Sequence, residues 1–192
     1  MANLSNTTNN TVISGTSNSD SIVNSGSNVS IFGGAGNDTI TVNGTPATTE
    51  DVYGYVEKES VRSTQVESVG YGAGGYTYKR WVPVDETVTV SVYEKTGTRE
   101  VPGKNASNVT INGGTGNDAI SIGSATDKTI IIYASGDGND VIRGFGSTDT
   151  LSISGGSYST TKSSSDLIVT VGDGKITLVG AGNSSPNIKG TY

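Results

Sequence analysis

The chain contains no cysteine and no histidine among its 192 residues. These absences exclude disulfide bonds, zinc sites built from thiolate or imidazole ligands, and acid–base catalysis by imidazole. Basic residues are also few, since 12 Lys and Arg stand against 18 Asp and Glu for a net charge of −6. Because nucleic-acid binding depends on clustered Lys and Arg, we expect no nucleic-acid partner.

Long apolar runs are missing as well. None approaches the roughly 18 residues of a membrane helix, so no membrane span is expected, and residues 1–10 lack the basic end and apolar core of a signal peptide. The chain is rich instead in Gly (28 residues), Ser, Thr and Asn. This composition favours turns and strands over helices, or else a flexible linker, and only periodicity can distinguish these two.

An eight-residue pattern recurs along the chain and ends each time in Asp-x-Ile. Two full copies begin at Gly33 and Gly113, a third begins at Ser135, and a degenerate one begins at Gly15. The aspartates that end the four copies are spaced by 18, 80 and 22 residues and are Asp20, Asp38, Asp118 and Asp140. The spacings equal 18, 18 plus 62, and 18 plus 4, which indicates a coil of 18 residues with two insertions.

Apolar residues recur in register with these aspartates. One set lies two residues after each Asp and comprises Ile22, Ile40, Ile120 and Ile142; a second lies seven before and comprises Ile13, Ile31, Ile111 and Tyr133. A coil of two turns and two short strands cannot bury its Ile alone, but stacked coils share a continuous core. The pattern therefore predicts a parallel β-solenoid rather than a linker. The insertions fall on the opposite edge from the aspartates, an edge with no Asp.

The glycine-rich loops have the chemistry of a calcium site. Glycines permit backbone angles that turn carbonyl oxygens toward one point, and the Asp adds a hard anionic oxygen. Calcium takes six to eight such oxygens, more than one loop offers, whereas two loops stacked about 4.8 Å apart can hold an ion between them. The alternative is an Asp that merely caps its own turn through its side chain.

The pattern resembles the nonapeptide G-G-x-G-x-D-x-U-x of the RTX (repeats-in-toxin) haemolysin-type family, and residues 33–41 and 113–121 match it in full. The resemblance implies an all-β fold, a parallel β-roll binding up to three Ca²⁺ ions in one row. It also implies carbonyl ligands at loop positions one and three of one turn and two and four of the next. Carried onto this sequence, the implied metal ligands are Asp20, Gly33, Gly34, Ala35, Gly36, Asp38, Gly113, Gly114, Thr115, Gly116, Asp118, Gly136, Gly138 and Asp140.

The regions outside the repeat suggest a division of the chain. We expect the roll over residues 11–44 and 108–145, an inserted β-hairpin module over 45–107, and C-terminal capping strands over 146–192. Asp173-Gly174, between two alternating runs, has the chemistry of a hairpin turn. In RTX proteins this end lies near an uncleaved type I secretion signal, so the resemblance implies a secreted, extracellular bacterial protein.

The insert holds seven of the twelve aromatic residues, namely Tyr53, Tyr55, Tyr71, Tyr76, Tyr78, Trp81 and Tyr93. Alternation over 76–82 and 87–93 predicts two or more hairpins protruding from the Asp-free edge. The aromatics either form the insert's own small core or make a surface for a glycan or protein partner. Glu57 with Glu59, or Asp85 with Glu86, could be a glycosidase carboxylate pair, but their local placement beside Lys58 and Arg62 favours a solvated strand face.

Three functions are consistent with these patterns. The first is a secreted, non-enzymatic calcium-binding β-roll whose folding the ion drives. The second is an adhesive module whose insert contacts a glycan or protein. The third is an ice- or surface-binding solenoid, suggested by Thr39-Ile40-Thr41 and Thr87-Val88-Thr89, although these Thr pairs do not recur in each coil.

Overall fold

The computed structural model describes residues 1–75 and 77–191, and no helix occurs within those ranges. In chain order the strands are β1 (Asn3–Asn6), β2 (Val12–Ser14), β3 (Ser21–Asn24), β4 (Ser30–Ala35), β5 (Thr39–Val42), β6 (Thr48–Tyr71), β7 (Thr77–Val101), β8 (Ala106–Ser107), β9 (Thr110–Thr115), β10 (Ala119–Ile122), β11 (Thr126–Asp127), β12 (Ile130–Ala134), β13 (Asn139–Arg143), β14 (Thr150–Ser154), β15 (Tyr158–Ser163), β16 (Asp166–Val171), β17 (Gly174–Leu178) and β18 (Asn187–Thr191). Among the described residues, nothing forms a helix long and apolar enough to cross a membrane.

The chain separates into two compact units, one of residues 1–47 with 102–192 and the other of residues 48–101. The first unit is the roll. It contains an eight-stranded sheet in the order β1-β3-β5-β10-β13-β17-β16-β15, a six-stranded sheet in the order β18-β14-β12-β9-β4-β2, and the small pair β8-β11. Each coil contributes one strand to each large sheet, and consecutive coils pair in parallel. The predicted all-β parallel β-roll is confirmed.

Equivalent apolar residues stack from coil to coil. Ile40 pairs with Ile22 on one side and Ile120 on the other, and Ile120 pairs in turn with Ile142. In the facing sheet, Ile31 lies between Ile13 and Ile111. These side chains are buried and join in one core, because alternate residues of each strand point inward and branched Ile packs well on a pleated surface.

The roll begins earlier than predicted. β1 pairs with β3 in the same 18-residue register as the later coils, with Leu4 beside Ile22. The sequence analysis placed the start of the roll at residue 11 because the first coil has no aspartate. Ala2 stands before β1 at the position that Asp20 occupies before β3. The roll thus begins one coil before the first Asp-x-Ile copy.

The register of the strand before the third loop, which begins at Ser135, also differs from the prediction. Ile111 pairs with Ile131, whereas Tyr133 was expected in that row. The step is 20 residues in this sheet but 22 between Ile120 and Ile142 in the other sheet. Two of the four extra residues therefore lie in the loop that ends at Asp140, and only two lie at the opposite edge.

The C-terminal part both continues and covers the roll. β14 pairs in parallel with β12, so the coil pattern extends through residue 154, inside the stretch predicted to be a cap. β17 then adds to β13, and the antiparallel strands β16 and β15 follow it at that end of the sheet. The hairpin between β16 and β17 turns through Gly172 and Asp173, with Val171 opposite Gly174.

The second unit is a single antiparallel hairpin of β6 and β7, and its register runs from Thr48 opposite Val101 to Tyr71 opposite Thr77. The expectation of two or more hairpins was wrong for residues 48–75 and 77–101, which form one ladder. Tyr76, which belonged to a predicted strand, lies outside the described residues. The alternating valines and threonines that suggested separate short strands form one long ladder instead.

The hairpin is also shorter than the predicted insert of residues 45–107. Thr45 and Lys104 form an antiparallel bridge, with N-to-O distances of 2.8 and 3.0 Å, and both belong to the roll unit. Ala106 is fully buried, and the strand β8 that it begins pairs with β11.

Candidate metal centre

The four repeat aspartates form a ladder along one edge of the roll. Each of the first three donates its backbone N–H to Oδ1 of the aspartate in the next coil: Asp20 to Asp38 at 2.7 Å, Asp38 to Asp118 at 2.8 Å, and Asp118 to Asp140 at 3.0 Å. All four residues are buried, none more than 5 % exposed. The structure therefore brings together the carboxylates that the sequence predicted as one row.

The second carboxylate oxygen of two of these residues has no partner. Oδ2 of Asp38 and Oδ2 of Asp118 are buried without a hydrogen bond. A buried acceptor left unpaired costs about 1–3 kcal/mol, more when it is charged. Such atoms are rare in folded proteins, and an ion is one of the recognised explanations.

Both unpaired oxygens lie beside the glycine loops, and that of Asp38 also lies near a backbone carbonyl of the next coil. A Cβ added to Gly33 would overlap both Asp38 Oδ2 and the carbonyl oxygen of Gly113 in the next coil, and one added to Gly113 would overlap Asp118 Oδ2. Gly33 is thus flanked by two electron-rich oxygens from consecutive coils. Because two such oxygens repel one another, a cation bound between them would remove the conflict. The residues present fit a hard divalent ion that accepts carboxylate and carbonyl ligands.

Glycine is required in these loops by both conformation and space. Gly34 and Gly114 have φ values of 111° and 90°, which side-chain-bearing residues rarely adopt. A Cβ on Gly114 would also overlap the carbonyl oxygen of Gly34 one coil below, and one on Gly116 would overlap that of Gly36. The predicted loop glycines therefore allow the backbones of consecutive loops to stack in direct contact. The carbonyl groups of Ala35 and Thr115 belong to the same stacked pair of loops.

Asp20 differs from Asp38 and Asp118 because both of its carboxylate oxygens accept hydrogen bonds from the protein. Its Oδ2 accepts from the Thr16 N–H at 2.6 Å and from the Thr16 hydroxyl at 2.8 Å, and its Oδ1 accepts from the Ala2 N–H. The hydrogen bond from Ala2 is the main cause of a lowered pKa at Asp20. The carboxylate is therefore stable as an anion without a metal, as expected for an Asp that caps its own turn.

The third loop is irregular. A Cβ on Gly136 would meet nothing within 4 Å, whereas Gly138 remains stacked on the carbonyl of Gly116. The carbonyl of Gly138 accepts hydrogen bonds from the Tyr133 hydroxyl at 2.6 Å and from the Lys175 N–H at 3.1 Å. Of the implied ligands in this loop, Asp140 lies in the ladder, Gly136 lies outside the stack, and the Gly138 carbonyl is already hydrogen-bonded.

Burial dominates the electrostatics of the later aspartates. It raises the pKa of Asp38, raises that of Asp118 to about 6 and raises that of Asp140 to about 7. Repulsion from neighbouring carboxylates adds to each shift, including that of Asp137 for Asp118 and Asp140. Such a row holds protons at mildly acidic pH, because each buried negative charge is destabilised by its surroundings.

Side chains alone do not complete a metal site. In the described ranges, no three His, Cys, Asp or Glu residues come together as a group that could hold a metal ion. Any ion in the aspartate row must therefore take most of its ligands from backbone carbonyls. Calcium accepts this arrangement, whereas zinc sites are built from Cys, His and carboxylate side chains.

The opposite edge of the roll was expected to have no aspartate, and the structure corrects this, since Asp127 lies there in β11 and Asp149 is buried there. Asp149 is 3 % exposed and precedes β14. Its Oδ1 accepts from the Thr129 N–H at 2.9 Å and its Oδ2 from the Gly146 N–H at 2.8 Å. The degenerate loop from Gly144 to Leu151, with Asp149 two residues before the Leu, carried the signal for it. Because both carboxylate oxygens are paired, Asp149 resembles Asp20 rather than Asp118.

A family model describes the same loops. The RTX calcium-binding nonapeptide repeat matches residues 14–44, 105–128 and 133–158, with four copies. The glycine loops are thus similar to RTX repeats. The matched segments include all four aspartates of the ladder and lie in the roll, whereas the hairpin of residues 48–101 lies outside them.

A solved structure is also similar to this chain. The crystal structure of the extracellular lipase LipA from Serratia marcescens is similar over 90 % of this chain, with 18 % identity and a TM-score of 0.32. The similarity covers 36 % of the lipase, so the chain spans about a third of that protein's length. No curated protein sequence matches the chain.

Proposed function

We propose that the roll binds Ca²⁺ in the aspartate row and that the ion stabilises its fold. The observation that carries the proposal is the pair of buried, unpaired Oδ2 atoms of Asp38 and Asp118, each beside the glycine loop of its own coil. Bound calcium would supply positive charge to these oxygens and to the nearby carbonyls. Binding free energy would then add directly to folding free energy.

The proposed ligands are not equivalent. The loops of Asp38 and Asp118 match the repeat in full and carry the unpaired oxygens, so they form the principal site. The loops of Asp118 and Asp140 form a second, weaker site, because the Gly138 carbonyl already accepts two hydrogen bonds. A site between Asp20 and Asp38 is the weakest of the three, since the carboxylate of Asp20 is already satisfied by Ala2 and Thr16.

Calcium titration of the metal-free chain tests this function. We expect β-sheet circular dichroism and the melting temperature to rise with Ca²⁺, and calorimetry to count the bound ions. Mg²⁺ is the control, because it demands near-ideal octahedral geometry and loses water reluctantly, and it should give little stabilisation. An identical spectrum and melting temperature in excess chelator and in excess calcium would refute the proposal.

We further propose that the chain works outside the cell, because extracellular calcium modules bind at about 10⁻⁴–10⁻³ M, a concentration the cytosol does not reach. A roll of this affinity would stay unfolded before export and fold afterwards. Detecting the chain in the medium of a host with a type I exporter, and its retention in a host without one, would test the route.

A second candidate function places partner binding in the hairpin. By the register of β6 and β7, Tyr53, Tyr55, Tyr93 and Trp81 lie on the same face, and each is more than half exposed. Tyr93 packs against both Tyr53 and Tyr55, with ring centroids 6.0 and 5.1 Å apart. We call this surface the tyrosine face. Exposed aromatics of this kind are enriched at binding surfaces.

A glycan array comparing the whole chain with a Tyr55→Ala, Trp81→Ala variant would test partner binding, and calcium binding should be equal in both. Equal array signals would exclude the tyrosine face as a glycan site. Catalysis is not proposed: Glu57 and Asp85 are exposed and accept hydrogen bonds from Ser91 and Ser63 across the hairpin, an ordinary arrangement of surface side chains.

A further inference from the structure

The face of the hairpin opposite the tyrosines is rich in valine. Alternate residues of an antiparallel ladder share a face, and the ladder register places seven valines together: Val56, Val66, Val82, Val84, Val88, Val90 and Val92. We call this surface the valine face. Three of its members, Val66, Val84 and Val90, are 43 %, 43 % and 38 % exposed, and the rest are half-buried.

A two-stranded hairpin has no second layer to bury such a face. Isolated hairpins are marginally stable in water, and a third strand or a packed layer is needed for independent stability. Solvated strand faces are typically polar, whereas β7 places five of the seven valines on this one side. The pattern therefore indicates a face that packs against another layer.

The central row of the valine face carries one residue of each charge. Arg62 lies directly opposite Glu86, yet among the described residues neither forms an ion pair. Four other pairs of charged residues in the hairpin do form ion pairs, among them Lys58 with Glu94 and Lys95 with Asp51. Arg62 and Glu86 thus remain available for charges supplied by the layer that covers the valines.

We propose that the valine face is a homodimer interface in which two hairpins stack face to face with their tips pointing the same way. In this dimer the twofold axis runs parallel to the strands and lays β6 of one copy over β7 of the other. Each cross-strand pair therefore faces the same pair of the partner, with the two strands exchanged. Arg62 of each copy then faces Glu86 of the other copy. The opposite orientation would bring the two copies of Arg62 against each other, so charge selects the parallel arrangement.

The size of the face is sufficient for a stable dimer. The valine rows run from Val56 to Val66, about 34 Å at 3.4 Å per residue, which is roughly half the length of β6. Two hairpins stacked along their whole length, roughly 75 Å by about 10 Å, would bury on the order of 800 Å² per copy, which is the size of a standard specific interface. Two stacked hairpins would form a four-stranded sandwich with a valine core at an ordinary sheet spacing of about 10 Å.

Sedimentation of the full chain in calcium tests the dimer. We expect a mass twice the 19.5 kDa of one chain, and a monomer for the double variant Val88→Thr, Val90→Thr. Threonine keeps the branched shape that suits a strand but adds a hydroxyl to the interface. The matched control is Val61→Thr, on the tyrosine face and 65 % exposed, which should remain dimeric. A monomeric wild-type chain would overturn the proposal.

A charge exchange separates the interface from the folding of the hairpin itself. Glu86→Arg alone and Arg62→Glu alone each place like charges across the interface and should weaken dimerisation roughly tenfold. Mixed in equal amounts, the two variants should form a heterodimer, because every contact then joins opposite charges. Each chain still contains its own like-charged row, so only contact between chains can produce this rescue. Asp85→Arg, on the other face, is the charge-matched control and should dimerise normally. A mixture no more dimeric than its components would overturn the arrangement.

Discussion

Asp38 and Asp118 are hydrogen-bonded neighbours although 80 residues separate them, with the Asp38 N–H 2.8 Å from Asp118 Oδ1. The same contact joins Asp20 to Asp38 at a separation of 18 residues. The insertion between Asp38 and Asp118 therefore leaves the register of the roll unchanged. The edge that carries the aspartates is continuous, and the extra residues leave the coil after β5 and re-enter before β9.

We predict that Asp118→Asn stabilises the metal-free roll but destabilises the calcium-bound roll, whereas Asp20→Asn does neither. In chelator at about pH 7.5, above the raised pKa, the Asp118→Asn variant should unfold at a higher temperature than wild type. Burial raises the pKa of Asp118 to about 6, and removing its destabilised charge gains on the order of 3 kcal/mol. In excess calcium it should be less stable and bind fewer ions. Asp20→Asn should retain most of the bound calcium, because that carboxylate is already paired.

The control for this pair is Asp173→Asn, an exposed residue in the turn between β16 and β17, which should leave both measurements unchanged. Calorimetric stoichiometry and thermal melts with and without calcium are sufficient. Equal losses of bound calcium for Asp118→Asn and Asp20→Asn would contradict the proposed ranking of sites.

We predict that the metal-free roll becomes more stable on acidification. Because the folded protein binds these protons more tightly than the unfolded chain, protonation of Asp118 and Asp140 stabilises the fold. This stabilisation is fully present below the unfolded pKa of 3.8. It is lost as pH rises through about 6 for Asp118 and about 7 for Asp140. Melting temperatures in chelator should therefore fall between about pH 4 and pH 7. Calcium stabilisation should show the opposite trend, since protons compete with the ion. The Asp118→Asn, Asp140→Asn variant should lose most of both dependences, and a flat wild-type profile would count against the buried row.

We predict that Gly33→Ala weakens the principal calcium site and that Gly97→Ala does not. A Cβ at Gly33 would overlap Asp38 Oδ2 and the Gly113 carbonyl, whereas one at Gly97 would meet nothing within 4 Å. Calcium affinity should fall roughly tenfold or more for Gly33→Ala, because two ligand oxygens must move. Calorimetric titration of both variants measures it, and equal affinities would show that the oxygens beside Gly33 are not ligands.

We predict that the roll folds and binds calcium without the hairpin. Residues 48–101 form their own compact unit, and the bridge between Thr45 and Lys104 already joins the two ends of the roll at this point. Joining Ala47 to Pro102 through a short Gly-Ser turn should keep the calcium stoichiometry and the β-sheet spectrum, because shortening a loop costs little entropy. The deletion should also abolish dimerisation. Removing the longer segment 45–107 should destabilise the roll, because it deletes the buried Ala106; equal stability of the two deletions would contradict this boundary.

Much of the roll could be predicted because each 18-residue coil repeats the same local chemistry. A glycine loop, an Asp and an Ile two residues later recur at Asp38 and Asp118, and identical sequences placed in register must stack alike. The prediction failed where a coil keeps its stacking position but lacks the residues of the repeat, or where extra residues shift its register. Leu4 stacks on Ile22 although Ala2 stands in the place of an aspartate, and Ile131 takes the row expected for Tyr133 because extra residues are divided between two edges.

The all-β class, the repeat, the row of aspartates and the place of the insertion could all be read from the amino-acid sequence, because each follows from residue type and spacing along one coil. Which aspartates keep a free oxygen depends instead on contacts between coils. Asp20 and Asp118 occupy the same place in the repeat, yet Thr16 and Ala2 satisfy the first while the second is left with a buried, unpaired Oδ2. Folding in three dimensions likewise makes the insert one long ladder with a valine face and a tyrosine face. Cross-strand register depends on which residues meet across the sheet, and spacing along one strand does not contain that information.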